Sequence, residues 1–306
     1  GSAFGRGANA KYGSYQALAD LFITWKDSAV PVSNYSRELN LENANARTSF
    51  LRSGTRVNEE LFVDFVNDII WIKLSSSAAS GINARLSLFR KEHAVIRTET
   101  GRLVMTGQLP SGNDKGMRFA AVVQPVVKDG KMYAEGNELV IENAAECWIK
   151  IAAATNYEWK TGALSHDDVL QHCLKSLAAT SRLNYTTASQ KSTLAYQQLF
   201  NRCRLQMPGN DSVRGLTTNQ RLIRYWKGGT DLQLPVLYFN FGRYLLICSS
   251  RPGLLPANLQ GLWATEYQAP WNGDYHLNIN LQMNYWPAEP AGMPSCVEAL
   301  LAHIER

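Results

Sequence analysis

Apolar and polar positions alternate along most of the first half of the chain. The period of two is plain in Asp20-Leu-Phe-Ile-Thr-Trp-Lys26, in the run from Val57 to Ser77, and in the run from Ile82 to Arg90. Such alternation is that of a strand with one buried face. Turn residues separate the runs, and the pair Asp129-Gly130 predicts a two-residue hairpin between its flanking strands. Many strands from residue 14 to about 156 with no helix between them predict an antiparallel β-sandwich.

At Ser165 the period changes. Ser165 and Asp168 stand at capping-box spacing, and Val169, Leu170, Cys173, Leu174 and Leu177 repeat at helical intervals. A second helix is expected within residues 190–207, where Leu199, Phe200 and Cys203 share a face. The loop 208–220 is rich in Gly, Asp and Asn and is the best boundary in the chain. Beyond it, Leu234, Leu237, Tyr238, Phe241, Tyr244, Leu245 and Cys248 give a wide apolar helical face, and a further helix begins at Cys296. The reading is therefore a β-sandwich domain over 1–160, a helical linker over 161–212, and the opening of an α domain over 213–306. Two or three helices with apolar faces cannot bury themselves, so more of the α domain is expected after Arg306. The start Gly-Ser-Ala, with no Met, likewise reads as the inside of a longer product.

Composition narrows the function classes. With 306 residues, 45% of them hydrophobic and 19% charged, the chain can build one large core or two ordinary ones. The formal charge of +5 is spread thinly, without the Lys/Arg block of a nucleic-acid footprint, and no nucleic-acid partner is expected. Five scattered cysteines, Cys147, Cys173, Cys203, Cys248 and Cys296, lack any CxxC pair and read as small buried apolar residues rather than a disulfide framework or zinc site. No apolar run reaches the roughly 18 residues of a membrane span, and the N-terminal residues lack the apolar core of a signal peptide. The glycines of residues 5–13 lack the strand-to-helix context of a phosphate loop. His166, Asp167 and Asp168 fit helix capping better than a metal site. No metal, cofactor or GxSxG nucleophile is indicated.

One stretch remains unexplained. Between Pro270 and Pro290, His276, Asn278, Asn280, Gln282 and Asn284 occupy every second position between tryptophans. Were Tyr275 to Gln282 extended, the polar groups would line one face while Leu277, Ile279 and Leu281 anchored the other. A helix would scatter the group, so one is expected to begin only near Asn280 or Leu281. Two readings stay open: a buried amide ladder that holds the backbone, or a polar ligand site. Trp263, Trp271 and Trp286 flank the run, and a flat aromatic face beside amides suits a sugar ring; the alternative for each is core packing. Glu266, Asp274 and Glu289 are the nearby carboxylates, and glycoside hydrolysis normally needs two.

The run Gly242 to Pro290 closely resembles the heart of glycoside hydrolase family 95, the inverting α-L-fucosidases. Upstream, GSYQALADLFI, YSRELNLENA and TTNQRL resemble blocks of the same family in the same order, so the likeness covers essentially the whole chain. It implies an N-terminal β-sandwich, a helical linker and an (α/α)6 barrel that holds the active site. It also implies that Asn278 and Asn280 hold the nucleophilic water, Asn280 being the unusual base, and that His276 lines the fucose pocket. The family's general-acid glutamate and base-polarising aspartate come from later barrel helices, and Glu266, Asp274 and Glu289 do not match them. These 306 residues are thus expected to carry half an active site and to be inactive alone. The implied substrate is a glycan with terminal α-L-fucose, most simply α-1,2-linked, met outside the cell or in the periplasm. An α-L-galactosidase and a non-catalytic sugar-binding protein are the alternatives. Ala19, Gln220 and the segment Asp231–Leu237 depart from the family pattern, away from the Asn pair.

Overall fold

The computed structural model describes residues 15–26, 29–111, 114–209 and 213–305. The glycines of residues 5–13 and part of the 208–220 loop lie outside the described residues. By internal contacts the chain divides into two units, Gly1–Tyr196 with Trp263–Asp274, and Gln197–Leu262 with Tyr275–Arg306.

The first unit is built from β1 (Asp20–Trp25), β2 (Val32–Asn40), β3 (Asn45–Arg52), β4 (Thr55–Val63), β5 (Ile70–Ser76), β6 (Ile82–Phe89), β7 (Ala94–Glu99), β8 (Arg102–Ser111), β9 (Asp114–Lys128), β10 (Lys131–Glu135), β11 (Glu138–Ala144) and β12 (Glu146–Thr155). A short pair, β13 (Tyr157–Glu158) and β14 (Ala163–Leu164), follows, then α1 (Val169–Ala179) and α2 (Tyr185–Phe200). A four-stranded sheet runs β1-β6-β11-β10, and an eight-stranded sheet runs β2-β3-β4-β5-β12-β9-β8-β7. This is the antiparallel sandwich that the alternation predicts.

The two sheets close on Trp25, Leu86 and Ile141 from the smaller and Leu74, Val123 and Ile149 from the larger. The larger sheet also buries its other face. There Phe62, Trp71, Val122 and Ala152 meet Val169, Cys173 and Leu177 of α1 and Tyr185 of α2. Burial on both faces explains why β9 and β12 read as near-continuous apolar runs. Lys150 is the exception in β12: it is buried, with its ammonium 5.6 Å from the centroid of Trp71. Desolvation, followed by the charge of Arg102, holds its pKa below the ordinary lysine value.

Two local expectations are corrected here. Asp129-Gly130 does not close a hairpin, because β9 and β10 belong to different sheets and β10 pairs with β11 instead. The turn hands the chain from one sheet to the other, and glycine is required because a Cβ at position 130 would stand 2.5 Å from the Ala144 Cα. The cap of α1 is Asp168, whose carboxylate accepts the amides of Leu170 and Gln171 at 3.0 and 3.2 Å. Ser165 instead donates to Asp167 at 3.1 Å.

The second unit contains α3 (Thr218–Trp226), α4 (Gln233–Ser249), α5 (Asn280–Tyr285) and α6 (Pro294–Ile304). Thr217 and Gln220 form a full capping box on α3. The buried positions of α4 are Arg243, Leu246, Ile247 and Ser249, and none of the residues of the predicted apolar face is among them. The helix is turned by Arg243, whose guanidinium donates to the carbonyls of Ala291, Cys203 and Leu199 at 3.0, 3.1 and 3.2 Å. A buried charge must be fully bonded to persist, so satisfying it sets which side of an almost wholly apolar helix turns inward. Among the described residues no helix is long and apolar enough to cross a membrane.

Candidate active site

The polar run does not form a strand. Residues 274–276 are irregular, 277–279 form a turn, and α5 begins at Asn280, where the sequence places the helix start. Leu277 and Ile279 are consequently exposed, and only Leu281 of the three apolar residues is buried. The physical reason lies in the bonds that close the turn. The Leu281 amide donates to the His276 carbonyl at 3.0 Å, Met283 N donates to Ile279 O at 2.9 Å, and the Gln282 side chain donates to Leu277 O.

Each amide then finds a different place. Asn284 donates to the carbonyl of buried Asn258 at 3.0 Å, and Asn258 Oδ1 accepts Gln260 N at 2.8 Å. Asn278 Oδ1 accepts the Ile279 amide at 3.0 Å and its side chain is exposed. Asn280, the first residue of α5, is exposed, and its carboxamide makes no hydrogen bond among the described residues. His276 is half-buried beside them in sequence. Its neighbour Tyr275 donates to Pro256 O at 3.2 Å and lies with its ring centroid 4.7 Å from that of His303.

The inward side of α5 is held more firmly. Ser250 donates its one hydroxyl proton to Cys296 O at 2.7 Å, so the 2.7 Å contact between Ser250 Oγ and Tyr285 is donated by the phenol. Tyr285 in turn accepts Ala257 N at 2.8 Å. Nothing in the sequence pattern singles out Tyr285 or Asn258, because an isolated tyrosine or asparagine carries no periodic signal.

Trp263, Trp271 and Trp286 are 45%, 63% and 62% exposed. Trp263 and Trp271 belong to the sandwich unit, whereas Trp286, His276, Asn278 and Asn280 belong to the helical unit. Trp271 and Asn272 take left-handed backbone angles, φ 50° and 61°, in a tight 3-10 turn. Such angles are costly for residues with a Cβ, and they cluster at working sites. Of the carboxylates, Glu266 accepts Thr265 N at 3.2 Å, Asp274 is half-buried and Glu289 is exposed. No group of three or more His, Cys, Asp or Glu side chains that could hold a metal occurs among the described residues.

Residues 184–306 match the profile of the glycosyl hydrolase family 95 catalytic domain, and residues 2–160 match that of the glycosyl hydrolase family 65 N-terminal domain. The chain belongs to glycoside hydrolase family 95. Alpha-L-fucosidase 2 of Arabidopsis thaliana is 30% identical over 95% of the chain, and Probable alpha-fucosidase A of Aspergillus niger is 29% identical over 96%. The family 95 chain spans 38% of the length of each of these relatives. Its fold is similar to that of a putative kojibiose phosphorylase from the human microbiome, with a TM-score of 0.58 at 11% identity over 81% of this chain and 34% of that one.

Proposed function

We propose that the gene product carrying this chain is an exo-acting glycosidase that removes terminal α-L-fucose, α-1,2-linked, by direct attack of water with inversion. The observation that carries the reading is the carboxamide of Asn280 at the head of α5, exposed and unbonded among the described residues, within the region matching the family 95 catalytic domain. Asn278, two residues earlier, supplies a second amide for the same water. The names of the relatives support fucose as the sugar.

An amide oxygen is a very weak base. It can draw a proton from water only if a carboxylate next to it balances the positive charge that develops, while a carboxylic acid protonates the leaving oxygen. Glu266 accepts the Thr265 amide, and none of Glu266, Asp274 and Glu289 matches the family pattern. Both carboxylates are therefore assigned to residues outside these 306, which alone are expected to be inactive. His276 lines the sugar pocket in this reading. Trp263, Trp271 and Trp286 offer flat faces to sugar rings, and no metal or organic cofactor takes part. The substrate is a fucosylated glycan outside the cell or in the periplasm.

The test is the complete gene product acting on aryl α-L-fucoside and aryl α-L-galactoside. Faster hydrolysis of the fucoside is expected. Hydrolysis of the galactoside alone would replace fucose by L-galactose, and saturable binding of both without hydrolysis would make the protein a sugar-binding module.

A further inference from the structure

The segment Trp263–Asp274 belongs with the sandwich unit, and one arginine of that unit holds it through Tyr267. Arg90 lies between β6 and β7. Its side chain donates to Ala17 O at 2.7 Å, Leu18 O at 2.8 Å, Gln16 Oε1 at 2.9 Å, Tyr267 Oη at 3.0 Å and Glu92 O at 3.1 Å. All the N–H donors of a guanidinium are thereby used. Its flat faces are also occupied, with the Phe119 and Tyr267 ring centroids 4.6 and 4.9 Å from Cζ.

No carboxylate figures among those five acceptors. The group is spent on fixing geometry: it joins the strap of residues 16–18 to Tyr267 of the 263–274 loop. The strap reaches the loop a second time, since Tyr15 N donates to Asn272 O at 2.9 Å. Around the second tie the chain passes through Trp271, Asn272 and Gly273 at φ 50°, 61° and 58°. Asn272 and Gly273 are buried, while the Trp271 side chain faces outward. Left-handed non-glycine residues persist only where their surroundings over-determine them. An indole left 63% exposed gains little in burial from the arrangement, so the strain serves presentation.

We infer that Arg90, on the β-sandwich, is a positioning residue for sugar binding, holding the loop so that the Trp271 indole stands ready to stack on a sugar ring. This rests on the reading of Trp271 as a sugar platform. A sugar ring stacks on an indole through its apolar C–H face, which requires the indole plane to be fixed before binding.

The experiment uses the complete gene product labelled with 6-fluorotryptophan, with the Trp271 resonance assigned by its loss in Trp271→Phe. Arg90→Lys keeps the charge but loses the fork, and Tyr267→Phe keeps the ring beneath the guanidinium but loses the acceptor. In both variants the Trp271 fluorine resonance should shift or broaden, and KM for 2′-fucosyllactose should rise about tenfold with kcat little changed. Placed in a Trp271→Ala background, Arg90→Lys should raise KM no further, because the two act as one. An unmoved resonance with unchanged KM in both variants overturns the inference, even if the melting temperature falls. So does a KM effect that adds to that of Trp271→Ala. Should Trp271→Ala itself leave KM unchanged, the platform reading fails, and a moved resonance in Arg90→Lys would then support the clamp while overturning its part in sugar binding.

Discussion

The phenol oxygen of Tyr285 accepts the Ala257 amide at 2.8 Å. Through Ser250 the same hydroxyl is linked to Cys296 O at the start of α6, so three segments of the helical unit meet at one atom. With six residues and no side-chain cap, α5 cannot hold its own direction. Asn280 inherits its position from this hub. Tyr285→Phe should destabilise the complete gene product by about 2 kcal/mol, since the buried Ala257 amide is left without its acceptor. Urea unfolding measures that loss. Steady-state kinetics should show a lower kcat, because α5 loosens where the water is to be held.

Asn280→Ala is expected to behave oppositely. The side chain is exposed and unbonded among the described residues, so melting temperature and circular dichroism should be unchanged. If the amide acts on the water, kcat should fall by about 10²–10⁴. Near-normal turnover would remove Asn280 from the mechanism.

Arg221 and Asp231 form a two-pronged ion pair at 2.8 and 3.0 Å, and Asp231 also accepts the amides of Gln233 and Leu234 at the start of α4. The Arg221 hydrogen bonds hold the Asp231 carboxyl below the usual carboxylate range. Its folded pKa is thus lower than the unfolded value of about 3.9, so its contribution is fully present above about pH 4 and is lost as pH falls through the depressed value. Asp231→Asn should lower the urea midpoint clearly at pH 7. The gap between wild type and variant should close as pH falls through the depressed pKa, because the wild-type carboxyl is then protonated too.

Thiol chemistry offers a fold test. Burial pushes Cys147 and Cys248 up to about 12 and Cys173 and Cys296 up to about 11. Cys203 lies half-buried just past the end of α2. Iodoacetamide at pH 8 should label Cys203 first among these five, and the others only after denaturation, because the thiolate is the nucleophile. Peptide mapping by mass spectrometry gives the order. Early labelling of Cys147 would contradict the sandwich core.

The sandwich was legible because Leu74, Leu86, Ile141 and Ile149 obey the period of two that a buried sheet face demands. The start of α1 after Asp168 was readable to within a few residues from capping chemistry, and the start of α5 at Asn280 from the loss of grouping that an earlier helix would cause, whereas α3, capped by Thr217, begins inside the stretch that reads as a loop. What escaped is long-range. Asp129-Gly130 has hairpin chemistry, yet its partner strand is chosen by packing across the sandwich. Arg243 rotates α4 through carbonyls 40 to 48 residues away along the chain, and Arg90 reaches Tyr267 across 177 positions. Local pattern cannot encode such partners. The amide run was legible as unusual, but its period of two does not reflect a strand: Gln282 and Asn284 bond backbone carbonyls where a turn runs into α5, while Asn278 and Asn280 stay exposed.

The most direct measurement is proton NMR of the complete gene product acting on 2′-fucosyllactose, recorded before mutarotation. Direct attack by water on an α-L-fucoside predicts β-L-fucose as the first sugar to appear. Initial α-L-fucose would contradict inversion, and with it the roles of Asn278 and Asn280 as holders of the attacking water.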